Sequence, residues 1–368
     1  MSVADVLARR QPARIAYAPN YWQWFAHHRN HGLLPPEVAH CRSQLELIRE
    51  LGLEVFSRNI TCDERRGWWG GLCEEIWNGA EREWSEGNDL VIERTYGRLT
   101  ERLRYVFQES TLVQEKFAVG DYASQLDDLE ALLASRRWRF VPARWAAAQG
   151  RVGDLGTVVA GEVTSPLKML YVLMGPQDAT YCLMDFPERM KELMALHEAA
   201  QLDLVRQMAG AGVPAVMAMD NLDSAFHPPH YVERYSASFY EKASRICHEH
   251  GSLFFIHACG HQRDNLPLIA SLGVDGLEGV AFPPLGDVEL DEAMRLSGER
   301  MILTGGISAQ EFERLHTREA VFAYVRELFG RMRPYAHRFI FSASCNTPYT
   351  APWQTILWFR DAWREYAG

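Results

Sequence analysis

Short apolar, β-branched runs recur along the chain. Between them lie longer stretches whose apolar residues return every three or four positions, so the two periodicities of strands and helices alternate. The predicted strands are Ile15–Ala18, Glu54–Ser57, Thr157–Val163, Ala215–Met219, Leu253–His257, Gly276–Glu278, Met301–Thr304 and Phe339–Phe341. Helical spacing covers Glu37–Leu51, Pro187–Ala211, Pro229–Gly251, Gln262–Leu272, Leu290–Ser297 and Thr317–Met332, and Trp353–Tyr366 reads as a closing helix. Eight strands alternating with helices over 368 residues predict an α/β fold. A (β/α)8 TIM barrel, one domain over residues 1–368, fits better than a doubly wound sheet carrying a second domain.

One stretch departs from this rhythm. From Thr61 to Trp84 the chain is rich in Trp, Gly and charge, and from Leu90 to Val119 apolar and polar residues alternate as in a β-hairpin or meander. The segment 61–119 is therefore expected to be an insertion after the second strand, lying over the barrel mouth.

Composition narrows the class. The 47% hydrophobic content supports a sizeable core, and 48 acidic against 38 basic residues give a net charge of -10 without a dense basic run. Nucleic acid is not an expected partner. No apolar stretch reaches the roughly 18 residues of a membrane helix, and the first residues lack a signal peptide's apolar segment, so no membrane partner and a cytoplasmic location are expected. Seven scattered cysteines, an odd number, argue against a disulfide framework.

In a TIM barrel the chemistry belongs at the C-terminal ends of the strands. His257 and Cys259 end the fifth predicted strand and Cys345 follows the eighth. Glu278 closes the sixth, and Asp220 with Asn221 follows the fourth. Two thiolates and an imidazole, with one position left for a carboxylate, water or substrate, make the donor set of an open catalytic zinc site. Each residue also has a plain structural reading. His257 alone reads as a hydrogen-bonded barrel histidine, the cysteines as small buried hydrophobes, Asp220 as a helix cap, and Glu278 as the partner of an arginine. Asn20, Tyr21 and Asn346 stand beside predicted strand ends and are candidates, with Asn221, for lining a substrate pocket. Trp22, Trp24, Trp68 and Trp69 either line an aromatic pocket or serve as core and interface residues.

The stretches HEHGSLFFIHACGHQRDNLPLIASLGVDGLEGV, GERMILTGGIS and FIFSASCNTPYTAP, with GDLGTVVAGEVTSPL, DFPERMKEL and MDNLDS, resemble the uroporphyrinogen decarboxylase superfamily. Within it they look most like the zinc-dependent corrinoid methyltransferases. In that branch a His-x-Cys pair and a distant Cys hold the metal, which the resemblance places here on His257, Cys259 and Cys345. The decarboxylase branch fits less well. Its Arg-Gln-Ala-Gly-Arg signature is reduced to Arg10-Gln11 followed by Pro12 and Ala13, its Gly-Asn-Leu-Asp turn is replaced by Gly305-Gly306-Ile307-Ser308, and Cys345 stands where its late histidine is expected.

The resemblance implies an enzyme that uses Zn2+ to move a methyl group between a small organic substrate, a methyl ether or a thiol, and a cobalamin. The sequence has no Asp-x-His-x-x-Gly cobalamin motif, so the cobalamin is expected on a separate corrinoid protein. Glu278 is the expected fourth ligand or a catalytic carboxylate, Asp220 a second catalytic carboxylate, and a carboxylate or carbonyl is expected behind His257. Two alternatives stay open: a metal-independent decarboxylase of the parent type, and a barrel that binds a corrinoid or porphyrin without turnover. A homodimer is open as well.

Overall fold

The computed structural model describes residues 2–60 and 71–368. Its centre is a ring of parallel strands: β1 (Ala16–Tyr17), β2 (Val55–Ser57), β3 (Gly156–Val158 continued by Ala160–Val163), β4 (Ala215–Ala218), β5 (Leu253–His257), β6 (Gly276–Val280), β7 (Ile302–Ile307) and β8 (Phe339–Ala343). Seven lie in one sheet in the order β1-β8-β7-β6-β5-β4-β3, and β2 pairs with the first part of β3. The Glu54 amide donates to the Tyr17 carbonyl at 3.0 Å, joining β1 to β2. All eight predicted strands are present. Their residues are almost wholly buried because both faces are covered, which is why they read as apolar runs.

Alternate strand residues divide between two apolar clusters. Ala16, Phe56, Met217, Phe255, Ile302 and Ile340 form an inner cluster with Val3 and Val6 of the helix Ser2–Leu7. Tyr17, Val216, Phe254, Leu277, Leu303 and Phe341 belong to the larger cluster beneath the surrounding helices. By the same alternation His257 follows Phe255 on the inward face, at the C-terminal end of β5.

The helices differ from expectation in three places. Glu37–Leu51 is a single 3-10 turn, Pro36–Val38, followed by a helix only over Gln44–Glu50, because Ser43 Oγ accepts the Glu46 amide and caps the second piece. Pro229–Gly251 splits at Ser236 into Pro229–Tyr235 and Ala237–Glu249. Gln262–Leu272 contracts to Leu266–Ser271, with Pro267 in its first turn, where the missing N–H costs no helical bond.

Between β2 and β3 the described part of the insertion contains a four-stranded antiparallel meander: Ala80–Glu86, Asp89–Tyr96, Leu99–Val106 and Thr111–Lys116. It continues past Val119 through the helix Tyr122–Ser135 and the strand Arg137–Phe140, which pairs with Cys73–Ile76. Charged rungs such as Arg102–Glu93 (2.8 Å) and Arg94–Glu81 (2.7 Å) tie the meander together. It rests on the helix Trp22–Asn30, where His31 Nε2 meets the Phe107 carbonyl at 3.3 Å, and its own apolar cluster joins the helices Pro166–Asp185 and Pro187–Gly210. Trp68 and Trp69 lie outside the described residues. Among the described residues no helix is long and apolar enough to cross a membrane.

Candidate active site

Register brings the first two site residues together. β5 and β6 pair in parallel with His257 opposite Glu278, and both side chains turn into the barrel. The carboxylate of Glu278 receives His257 Nδ1, leaving Nε2 to face Cys345 Sγ at 3.7 Å. Glu278 is held from its other side by Arg58, whose Nη1 is 3.3 Å from Oε1. Arg58 Nη1 also donates to Asn59 Oδ1 at 3.0 Å. The result is a buried chain of alternating charge, Arg58, Glu278, His257 and Cys345, built from the ends of β2, β6, β5 and β8.

Burial and charge act against each other along it. Burial disfavours protonated His257, but the Glu278 carboxylate and the Cys345 sulfur outweigh it and hold the imidazole well above its ordinary range. For Cys345 burial favours the thiol, while His257 and Arg58 pull the group below the usual thiol range. Glu278 is likewise lowered, burial being overcome by Arg58 and His257. The arrangement favours a thiolate facing an imidazolium whose second nitrogen is fixed on a carboxylate.

Cys259 stands in the turn after β5, close enough to act on the imidazole of His257. Its sulfur interacts with His257 and accepts from Asn221 Nδ2 at 3.7 Å. Asn221 holds a left-handed φ of 50°, and its Oδ1 accepts from Lys168 Nζ at 2.9 Å. Two glycines make this crowding feasible. A Cβ on Gly260 (φ 84°) would overlap Asp223 Oδ2, and one on Gly279 (φ 99°) would stand 2.5 Å from the Ser344 carbonyl oxygen and 3.2 Å from His257 Cε1.

Two expected roles change. Both Glu278 oxygens are engaged behind His257, so Glu278 supports the imidazole instead of standing beside the thiols as a ligand. Asp220 is also committed: Oδ1 accepts the Ser165 amide at 2.9 Å and Oδ2 accepts the Tyr240 hydroxyl, so it braces the C-terminal end of β4 against the loop after β3.

Of the expected pocket residues, Asn20 and Asn346 are at the site: Asn20 Nδ2 donates to Asn346 Oδ1 at 2.6 Å and to the Cys345 carbonyl at 3.2 Å. Tyr21 is not. It is fully buried with its hydroxyl 3.2 Å from that of Tyr17, and burial drives its pKa far up. Trp24 is core too, donating to the Ala351 carbonyl at 2.8 Å and stacking on Trp353, and Trp22 is buried.

The donor set can be tested against zinc by size. Ligand distances of about 2.0 Å to nitrogen and about 2.3 Å to sulfur around a tetrahedral ion put the two donors about 3.5 Å apart. The His257 Nε2 to Cys345 Sγ distance matches this spacing. Among the described residues no group of three His, Cys, Asp or Glu side chains is already gathered at metal-binding spacing, Cys259 being shared with Asn221.

Sequence reasoning did not find Arg58, Asn59 and Lys168. Arg58 and Asn59 directly follow β2 at its C-terminal end, and Lys168 puts a cation in the first turn of a helix, where the helix dipole disfavours it. Both are local signals of duty at a site.

Fold and site together define a parallel barrel with a thiol and imidazole centre at its C-terminal mouth. The chain belongs to the uroporphyrinogen decarboxylase (URO-D) family, whose profile matches residues 123–366. Among solved structures it is similar to a methyltransferase from Methanosarcina mazei, with 14% identity and a TM-score of 0.59 over 99% of this chain and 97% of that one. A weaker likeness, with a TM-score of 0.37 and 10% identity over 62% of this chain and 83% of the other, is to D-psicose 3-epimerase with D-tagatose from Clostridium cellulolyticum H10. No curated protein sequence matches significantly.

Proposed function

We propose that this protein is a zinc-dependent methyltransferase that moves a methyl group between a small organic substrate, a methyl ether or a thiol, and a cobalamin carried by a separate corrinoid protein. The observation that carries the reading is the pairing of His257 Nε2 with Cys345 Sγ at zinc-ligand spacing, with Glu278 fixed behind Nδ1. The full-length likeness to a methyltransferase supports the class of reaction.

His257, Cys345 and Cys259 would hold the ion, and the open fourth position would belong to substrate. Bound there, zinc stabilises a thiolate at neutral pH or polarises an ether oxygen. Glu278 fixes the orientation of the imidazole through Nδ1 and raises its basicity, so that Nε2, aimed at Cys345, would be the nitrogen that gives up its proton to a metal. Arg58 holds Glu278 ionised so that it keeps accepting from Nδ1. Asn20 and Asn346 set the backbone on which Cys345 is presented.

The family name raises decarboxylation as a second reading. A decarboxylase site of the parent type needs arginines free to take substrate carboxylates, and Arg58 is engaged with Glu278. Elemental analysis and a spectroscopic assay separate the two. We expect about one zinc per chain, and conversion of Co(I) to methyl-Co(III) cobalamin, or the reverse, with some member of a panel of methyl ethers and thiols. Metal-free protein that is fully folded and decarboxylates a polycarboxylate would overturn the proposal.

A further inference from the structure

Both thiols of the site lie two residues past a strand end, Cys259 beyond His257 of β5 and Cys345 beyond Ala343 of β8. The sheet ladder no longer fixes the backbone there. For Cys345 a side-chain amide does so, Asn20 Nδ2 donating to the Cys345 carbonyl at 3.2 Å. The Cys259 carbonyl has a matching donor in Gln262 Nε2, at 3.4 Å.

Gln262 is fully buried, and none of the chemistry above uses it. Its Nε2 also donates to the Leu222 carbonyl in the loop after β4, and its backbone N–H donates to Asp287 Oδ1 at 2.7 Å in the loop after β6. One residue thus ties the turn after β5 to the loops on both sides. Two backbone bonds continue the pairing of β4 with β5 past the sheet: the Leu222 N–H donates to His257 at 3.2 Å and the Ser224 N–H to His261 at 2.9 Å. The turn itself passes through Gly260 at a φ of 84°, where no side chain stiffens the backbone.

The other half of the amide shows what Gln262 contributes. Its Oε1 is buried without a partner among the described residues. A methionine would fill the same space without stranding an oxygen, so volume is not the reason for an amide here. What a methionine lacks is the pair of N–H donors, and both carbonyls they meet belong to the walls of this turn.

We infer that Gln262 is a positioning residue for Cys259: its side-chain amide takes over where the ladder stops and holds the backbone that presents the thiol beside His257. The purpose of that thiol rests on the zinc reading above, whereas the positioning is a property of the metal-free chain.

The test follows the two thiols separately in the reduced, metal-free full chain, by mass spectrometry of alkylation with iodoacetamide. Gln262→Met should speed alkylation of Cys259 at least about threefold and leave Cys345 within about twofold of wild type, since one turn alone is loosened. Asn20→Ala should do the reverse. Loaded with Co(II), Gln262→Met should lose about half of the thiolate-to-metal absorption, the share of one thiolate out of two. An unchanged Cys259 rate, an equal rise at Cys345, or undiminished absorption in the loaded variant overturns the inference. If Gln262→Met does not fold, Gln262→Glu, which keeps the shape and removes the donor, decides by the same rates. Wild-type protein that takes up no cobalt rejects the zinc reading alone, and the alkylation rates still decide the inference.

Discussion

His257 and Glu278 are register partners on adjacent parallel strands, and their side chains meet inside the barrel with Nδ1 on the carboxylate. Parallel pairing repeats evenly along two strands, so this contact is set by the alignment of β5 with β6 and needs no flexible loop. Removing the charge while keeping the shape tests its purpose. Glu278→Gln should weaken zinc binding about 10- to 100-fold, read by competition with a chromophoric chelator, with little change in circular dichroism. Unchanged affinity would leave Glu278 a purely structural partner of Arg58.

Each thiol should matter to the metal and little to the fold. Cys345→Ala and Cys259→Ala should both lose zinc and methyl transfer together, whereas Cys247→Ala, fully buried under the helices at a distance from the site, should keep both at some cost in stability. A Cys345→Ala protein that still holds about one zinc would remove Cys345 from the ligand set.

Gly279 leaves no room for a side chain. Gly279→Ala puts a methyl group against the Ser344 carbonyl and His257 Cε1 at a φ of 99°. The variant should lose roughly 1–3 kcal/mol of stability in urea unfolding and lose metal affinity with it. Gly298→Ala, whose φ of 68° is also strained but whose added methyl meets nothing, is the control that separates backbone strain from the clash at the site.

His197, in the helix Pro187–Gly210, is fully buried with Nε2 on Thr164 Oγ1 at 3.1 Å. Burial first and Arg136 second push its pKa from 6.5 down to about 3. The unfolded chain therefore takes up a proton that the folded chain refuses as the pH drops below 6.5. Stability contributed by neutral His197 is present at neutral pH and is lost progressively toward pH 3, at up to about 1.4 kcal/mol per pH unit. Urea midpoints at pH 7 and 4.5 should fall further apart for the native protein than for His197→Gln. Equal slopes would show that other groups carry the acid sensitivity.

The barrel strands were legible because each is apolar on both faces, and β5 and β8 led directly to His257, Cys259 and Cys345. The role of Glu278 was not, because a carboxylate that ligates and one that braces an imidazole look alike until register sets His257 opposite it. Arg58 escaped notice for a related reason: its meaning depends on Glu278, 220 residues away. Tyr21 misled because β1 is only two residues long, so a residue four positions past Tyr17 turns back onto that ring and not into the mouth.

The ring closes where Ala16 pairs with Ile340, between strands at opposite ends of the chain. Cys345 lies just beyond that seam and His257 well before it. During synthesis the imidazole and its carboxylate emerge long before the sulfur they face, so a ligand needing both finds no complete set until the last strand docks. If the mouth does hold the proposed zinc, its occupancy would report on maturation: a chain stalled or truncated before β8 would keep its histidine but lack the sulfur that faces it.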